Sequence, residues 1–388
     1  MKITLLYDAP MSLRQGRLRM HRPYGIRVDA LAQHFEQIVV CNPVASFDIP
    51  EAQYEPRSTN ISVEALPYYG RVTRSLLRLP KCAGLIWGVS RSWSLLHITL
   101  PSPLGMIGYL CARARKIPMV LSVVGDLDAQ YERGRYHGIS RLAACAAVWM
   151  SERATHWMVD RAPTITQGEG LYAKYKRNGN RIVNIPWSPI VSDMITQRDD
   201  SCGGPVIRLL FVGALLEKKG IFVLLESIKL LRRHMDNFLL TYVGTGPFAA
   251  ELAQRVADAD LSGHVALKGG IYAESELLRE FDSADVFVFP TYAEGFPRVI
   301  FEAMARGLPV ISTGVSGIPG VLEEGRDALL VSPGSPNEVA EAVLKVIRDP
   351  TLRRNLIRRG REIAQEYTLE ATTRKRVETI RSALSLEW

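Results

Sequence analysis

The sequence predicts an α/β protein built of two doubly wound domains, and three observations carry that prediction. Short apolar, strand-like runs alternate along the chain with helix-like runs of about 10 to 15 residues. At 388 residues the chain is longer than one ordinary core organises. A polar, glycine-bearing stretch, SDMITQRDDSCGGP (192–205), interrupts the alternation, which then restarts. The expected layout is a first domain over 1–195, a second over 196–366 and a closing helical segment over 367–388.

In the first half the strand-like runs are ITLLYD (3–8), IVVCNP (38–43), LLHITL (95–100), PMVLSVVG (118–125) and RIVNIP (181–186). Helical spacing is expected for Arg27–Phe35, Leu104–Arg115 and Ile139–Met158. The second half opens with VIRLLFVG, a helix over Ile221–Arg233 and FLLTYVG, and continues with DVFVFP, LPVIST and ALLVSP as strands. The stretch Ser92–Ala112 is uncharged, but prolines and glycines break it, so strand plus helix is expected in place of a membrane span. The opening MKITLLYDAP runs into a strand without a signal-peptide pattern, which predicts a cytoplasmic protein. Cys41, Cys82, Cys111, Cys145 and Cys202 show no metal-ligand spacing and read as buried, reduced thiols. His97 stands inside a strand run and is expected to be a satisfied core residue.

Three glycine-bearing loops follow strands. FVGALLEKKG (211–220) ends a strand at Gly213 and places Lys218 and Lys219 before a helix start, where positive charge is unfavourable unless an anion sits nearby. YVGTGPFA (242–249) has the G-x-G-x-x-A spacing of a dinucleotide turn. The next strand supplies Lys268 where a nicotinamide site needs an acid, so the expectation is only that a phosphate or ribose approaches Gly244 and Gly246. GDLD (125–128) contains an Asp-x-Asp and reads as a turn. No P-loop, HExxH, G-x-S-x-G or cysteine–histidine cluster occurs, and no cofactor is expected.

The stretch FPTYAEGFPRVIFEAMARGLPVIST (289–313) is the most informative. It reads as strand, loop, helix and strand, with Pro297 suited to the first helical position and Gly307 to the left-handed residue after the last turn. The amides of Gly295 to Val299 would open a helix amino terminus that attracts a diphosphate. Glu294 before it and Glu302 within it could accept hydroxyl hydrogen bonds on either side of that diphosphate. A ligand with hydroxyls on both sides of a diphosphate is a nucleotide sugar.

EGFPRVIFEAMARGLPVIST resembles the Glu-x7-Glu signature of the family-four retaining glycosyltransferases. FVGALLEKKG, YVGTGP, FDSADVFVFPTYAEGFP and SGIPGVLEEGRDALLVSPG follow in that family's order over about 206–335, and LPSPLGMIGYLCARARKIPMVLSVVGDLD is the best-matching segment of the first half. The resemblance implies the GT-B fold: two facing Rossmann-like domains with a last helix, Tyr367–Leu384, crossing back onto the first. It implies a hexosyltransferase-type enzyme that moves a sugar from a nucleotide-diphosphate donor to a lipid-linked or saccharide acceptor, with retention and without metal. Glu294 would touch the sugar hydroxyls, Glu302 the ribose and Lys219 the diphosphate. The amides of Gly295, Phe296 and Pro297 would line the sugar and phosphates, and Gly213, Gly244, Gly246 and Ile271 would complete the donor pocket. Where the family often has an arginine this chain has Ala214, which leaves Lys218 or Arg298 to substitute. Where it often offers a histidine this chain has Val124, with Asp126 the nearest polar candidate. Gly320 replaces a glutamate and takes no role. A GT-B sugar-nucleotide epimerase and a non-catalytic nucleotide-sugar-binding protein are the rival readings.

The net charge of +8 is lopsided. Residues 1–200 carry 25 Lys+Arg against 16 Asp+Glu, while residues 201–388 carry 23 against 24. RQGRLRMHRPYGIR (14–27) and YYGRVTRSLLRLPKCAGLIWGVSRSW (68–93) each hold five basic residues and no acid, the second beside Leu, Ile, Tyr and Trp. Basic residues interleaved with large apolar ones predict contact with an anionic membrane surface, peripheral on the inner face of the cell membrane. No recognition motif for nucleic acid is present.

Overall fold

The computed structural model describes residues 1–9, 11–49, 52–68, 72–125, 138–293, 296–315 and 317–385, with the backbone alone for 72–77 and 138–144. The chain forms two compact units, Met1–Pro186 with Thr372–Trp388, and Trp187–Ala371.

The first unit runs β1 (Lys2–Leu6), β2 (Met11–Arg14), β3 (Arg17–Arg19), α1 (Arg22–Ala32), β4 (Gln37–Ala45), β5 (Ile61–Pro67), α2 (Val72–Val89), β6 (Leu96–Leu100), α3 (Pro103–Arg115), β7 (Met119–Val123), α4 (Gly138–Val159), β8 (Thr164–Thr166), α5 (Glu169–Tyr175) and β9 (Ile182–Asn184). Strands β5, β4, β1, β6, β7, β8 and β9 lie side by side in that order, all parallel. Such a sheet is covered on both faces, and its central strands β1, β6 and β7 are accordingly buried over almost their whole length. Helix α3 shows why the local sequence folds as it does. The Ser102 hydroxyl accepts the Gly105 amide at 2.7 Å, Pro103 occupies the first turn, and Lys116 closes the helix at φ 56°.

The second unit runs β10 (Ile207–Val212), α6 (Ile221–Leu231), β11 (Phe238–Val243), α7 (Ala249–Asp258), β12 (Val265–Leu267), α8 (Glu274–Ser283), β13 (Val286–Phe289), α9 (Arg298–Ala305), β14 (Val310–Thr313), β15 (Leu329–Val331), α10 (Pro336–Arg348) and α11 (Pro350–Glu366). Its sheet order is β12-β11-β10-β13-β14-β15, parallel at every pairing. The chain lays strands outward from β10 in one direction, then returns beside β10 with β13 and proceeds in the other. The last helix, α12 (Leu369–Ser382), carries the chain back to the first unit. There Val377, Ile380 and Ala383 join Ile3, Leu5 and Val28 in one apolar cluster, and the buried Arg376 donates from Nη2 to the Ile185 carbonyl at 2.5 Å.

Several expectations change. The Arg14–Arg27 run begins with a β-hairpin whose turn residues, Gln15 and Gly16, both have positive φ. Its arginines find acids outside the run: Arg14 pairs with Asp48 at 2.7 Å, and Arg19 with Glu55 at 2.9 Å. Helix α1 begins at Arg22, five residues before the expected start. Cys145 is exposed, whereas Cys41, Cys82 and Cys111 are buried. His97 is buried as expected, with Nε2 2.7 Å from the Ser122 hydroxyl. Burial, helped by Arg376 and Arg27, pushes its pKa down to about 3, so the ring is neutral at physiological pH.

Candidate functional site

In an open parallel sheet, ligands bind beyond the carboxyl ends of the strands where the strand order reverses. In the second unit that point lies between β10 and β13. The loops that leave these two strands carry Gly213–Gly220 and Pro290–Pro297.

After β10 the chain continues the ladder with β11 for two more hydrogen bonds, Gly213 to Val243 at 2.9 Å and Leu215 to Thr245 at 2.9 Å. This close pairing explains the glycines of the neighbouring loop. A Cβ on Gly244, at φ 150°, would stand 1.9 Å from the Gly213 carbonyl oxygen, and one on Gly246 would stand 2.3 Å from the Leu215 carbonyl oxygen. In the structure these glycines let the chain's own backbone approach closely. Gly213 is less constrained, its Cβ meeting the Phe289 ring at 3.2 Å and the Phe211 ring at 3.5 Å.

A single 3₁₀ turn, Glu217–Lys219, then ends at Gly220, which has φ 75° and whose Cβ would lie 1.9 Å from the Pro290 carbonyl oxygen. The turn is fastened to the β13 loop. The Lys218 carbonyl accepts the Tyr292 amide at 2.9 Å and the buried Thr291 hydroxyl at 3.0 Å. The Thr291 carbonyl in turn accepts the Thr313 hydroxyl at 2.6 Å, so the ends of β13 and β14 hold the same turn. The hydroxyls of Thr291 and Thr313 were not singled out from sequence. The threonines that directly follow FVFP and end LPVIST were the available signal.

Lys219 is half-buried, and its Nζ stands 5.8 Å from the Phe289 ring centroid. Burial, with a smaller contribution from Lys218, lowers its pKa to about 8. Lys218 itself is exposed. A half-buried ammonium beside a second lysine is a charge that a bound anion would stabilise.

Across the β13 loop, helix α9 starts at Arg298, with Pro297 as the residue before it. The expected position of Pro297 thus shifts by one, and lacking an N–H it supplies no amide to a ligand. Gly307 has the expected left-handed conformation, φ 68°. Phe296 packs on Phe301 with ring centroids 4.4 Å apart, and Phe301 stacks on Tyr367 at 4.8 Å. Arg298 lies over the Trp187 ring at 4.9 Å, and the half-buried Glu302, one turn further on, acts electrostatically on the Arg298 guanidinium. Ile271 is half-buried against the unit's core. Glu294, Gly295 and Asp126 lie outside the described residues. Ala214 is exposed, and Val124 is half-buried with its amide donated to Leu100. No group of His, Cys, Asp and Glu that could hold a metal occurs among the described residues.

Comparison with known proteins identifies this unit. The family described as "Glycosyl transferases group 1" matches residues 204–363. This segment is a group 1 glycosyltransferase domain. The amylovoran biosynthesis glycosyltransferase AmsK of Erwinia amylovora is 36% identical over 146 residues, 36% of each chain. The putative teichuronic acid biosynthesis glycosyltransferase TuaC of Bacillus subtilis is 27% identical over 256 residues, 65% of this chain and 60% of its own. The matched stretches thus span about a third to three fifths of these relatives. Among solved structures, the Anabaena protein HepE in complex with UDP superposes with a TM-score of 0.73 at 16% identity, covering 98% of this chain and 100% of that one. A sucrose-phosphate synthase from Thermosynechococcus elongatus gives 0.70 at 19% identity, covering 99% of both. The fold around the group 1 glycosyltransferase domain is GT-B.

Proposed function

We propose that the chain transfers a hexose from a nucleotide-diphosphate donor to a saccharide or lipid-linked acceptor, with retention and without a required metal. The observation that carries this reading is Lys219, a half-buried ammonium with a lowered pKa, fastened by its turn to the loop that leads into Glu294. In this reading Lys219 meets the diphosphate, with Lys218 or Arg298 in place of the arginine that Ala214 lacks. Glu302 holds the ribose, Glu294 the sugar hydroxyls, and the Phe296, Arg298 and Val299 amides face the phosphates. Asp126 is the candidate on the acceptor side.

The bond from the anomeric carbon to the phosphate oxygen breaks as the bond to the acceptor oxygen forms on the same face. The acceptor proton passes to the departing phosphate. Fixed positive charge aimed at the leaving diphosphate is then the main rate-enhancing contribution. The relatives named for amylovoran and teichuronic acid biosynthesis support a polysaccharide as the product class. The HepE complex with UDP makes UDP-sugars the first donors to test.

The test is release of nucleoside diphosphate from a panel of UDP-, GDP- and ADP-sugars, with and without acceptor and with chelator. Acceptor-dependent release that survives chelation, with retained configuration by NMR of the product, is expected. Conversion of the donor to its epimeric nucleotide sugar without acceptor and without net release of nucleoside diphosphate would make the chain an epimerase, and tight donor binding without turnover would make it a binding protein.

A further inference from the structure

Helices α2, α3 and α4 lie on one face of the first unit's sheet. Their inner sides share a single apolar cluster that includes Cys82 and Ile86, Leu104 and Tyr109, and Met158 and Val159. Their outer sides are unusual for a solvated surface. Trp87 is 45% exposed, Leu110 58%, Trp149 61%, Met150 58% and Trp157 43%. On α4, Trp149, Met150, Arg153 and Trp157 recur at helical spacing and form one exposed stripe. Edge contact of Trp157 with Tyr109, ring centroids 5.3 Å apart, joins α4 to α3. Stacking of Arg115 on Trp87, 4.1 Å to the centroid, joins α3 to α2. The aromatic residues are thus parts of one surface.

Among the described residues the exposed charge of these helices has one sign, and Asp160, directly after α4, is ion-paired with Arg177 at 3.3 Å. Arg115, Arg153 and Arg161 each lie over a tryptophan ring, and Lys81 and Arg113 are exposed nearby. Helices α2 and α3 contain no carboxylate. The one in α4, Glu152, is buried, bonded to the Tyr175 hydroxyl at 2.7 Å and to Lys174 at 3.1 Å. A second copy of the chain would therefore bring the exposed arginines and lysines of these helices against one another. Tryptophans carrying guanidiniums suit a boundary where rings enter the acyl edge and cations face phosphates.

We propose that this α2–α3–α4 face is the docking surface of the protein on an anionic lipid bilayer, with Trp149, Met150 and Trp157 entering the headgroup layer. Because it rests on the first unit alone, it stands apart from the donor chemistry of the second. It also relocates the membrane contact expected from the Arg14–Arg27 run, since Arg14 and Arg19 there are ion-paired.

The experiment is co-sedimentation of the full chain with phosphatidylcholine vesicles, with and without phosphatidylglycerol, combined with tryptophan quenching by brominated lipid. Binding that requires phosphatidylglycerol and weakens with salt is expected. Trp149→Ser with Met150→Gln should remove most of the binding and reduce the quenching. Arg113→Gln and Arg153→Gln should each weaken partitioning about fivefold. Arg14→Gln with Arg19→Gln should leave it unchanged. Nucleotide binding by calorimetry should be unaltered in every variant, which separates this surface from the donor site and reports folding. Equal binding to neutral and anionic vesicles would overturn the proposal. So would full binding by the Trp149/Met150 variant, or a dimer that this variant dissolves without any vesicle binding in the parent.

Discussion

The Thr291 hydroxyl donates to the Lys218 carbonyl at 3.0 Å, joining two loops 73 residues apart in the chain. This bond, with the Tyr292 amide on the same oxygen, makes the lysine turn after β10 and the loop after β13 one rigid unit. Lys219 owes its position to that fastening. The candidate site is therefore held by backbone and hydroxyl groups, while its charged side chains are presented from them.

Thr291→Val should loosen the turn. A buried hydroxyl bond of this kind contributes about 1 kcal/mol, and leaving the Lys218 carbonyl with one donor fewer adds to the loss. A destabilisation of about 1–2 kcal/mol in urea unfolding is expected, with weaker nucleoside-diphosphate binding. Thr291→Ser should restore both. Loss of stability without loss of binding would show that the fastening does not position Lys219.

Lys219 predicts a pH dependence whose sign is fixed by its lowered pKa. In the unliganded protein the group has a pKa near 8, below the ordinary 10.5, so the folded state binds its proton less tightly than the unfolded chain. Its contribution to stability therefore improves as pH rises from about 8 toward 10.5. A bound diphosphate acts oppositely by raising the pKa, so affinity is greatest below about pH 8 and falls as pH rises beyond it. Calorimetry of UDP binding between these limits should show the decline, and Lys219→Met should abolish it. That variant should also lower transfer by about 10²-fold. A decline that persists in Lys219→Met would assign it to another group.

Gly220→Ala should be among the more damaging single-methyl additions in the second unit. The residue has φ 75°, and the new Cβ would stand 1.9 Å from a backbone oxygen that cannot rotate away. A cost of about 2–4 kcal/mol is expected from strain and overpacking together. Gly213→Ala, whose Cβ would touch a phenylalanine ring at 3.2 Å, should cost clearly less. Equal unfolding midpoints for the two variants would contradict the local geometry.

The strands that build the second unit were legible because each is a short apolar run bounded by glycine or proline. VIRLLFVG, DVFVFP and LPVIST contain β10, β13 and β14 within two residues at each end. The β2–β3 hairpin was not read, because its strands are only four and three residues long and carry arginines among few apolar residues. Gln15–Gly16 was the usable signal, since both residues take the positive φ that a tight hairpin turn requires. Pairing of Arg14 with Asp48 depends on tertiary approach across 34 residues, which no local pattern encodes. For the site, the lysines and the helix start were legible, but the backbone packing at Gly244 and Gly246 was not. A glycine admits a ligand or a neighbouring carbonyl equally well, and the fold shows a carbonyl close to each of these two.

The two glutamates should separate kinetically. Glu302 lies in the first turns of α9, one turn beyond Arg298, and in the proposed reading it holds the ribose. Contacts to the ribose are alike in the ground and transition states, so Glu302→Ala should raise KM and weaken nucleoside-diphosphate binding while kcat changes little. Loss of a hydrogen bond to a charged acceptor corresponds to about 1.5–3 kcal/mol, roughly a ten- to hundredfold loss of affinity. Glu294 is assigned to hydroxyls of the sugar whose anomeric carbon changes geometry during transfer. Glu294→Ala should therefore lower kcat by a similar factor and leave binding of the nucleoside diphosphate, which lacks the sugar, near that of the parent. Calorimetry with the nucleoside diphosphate and steady-state kinetics with the nucleotide sugar read the two quantities separately. Unchanged nucleoside-diphosphate affinity in Glu302→Ala would remove the ribose from that residue.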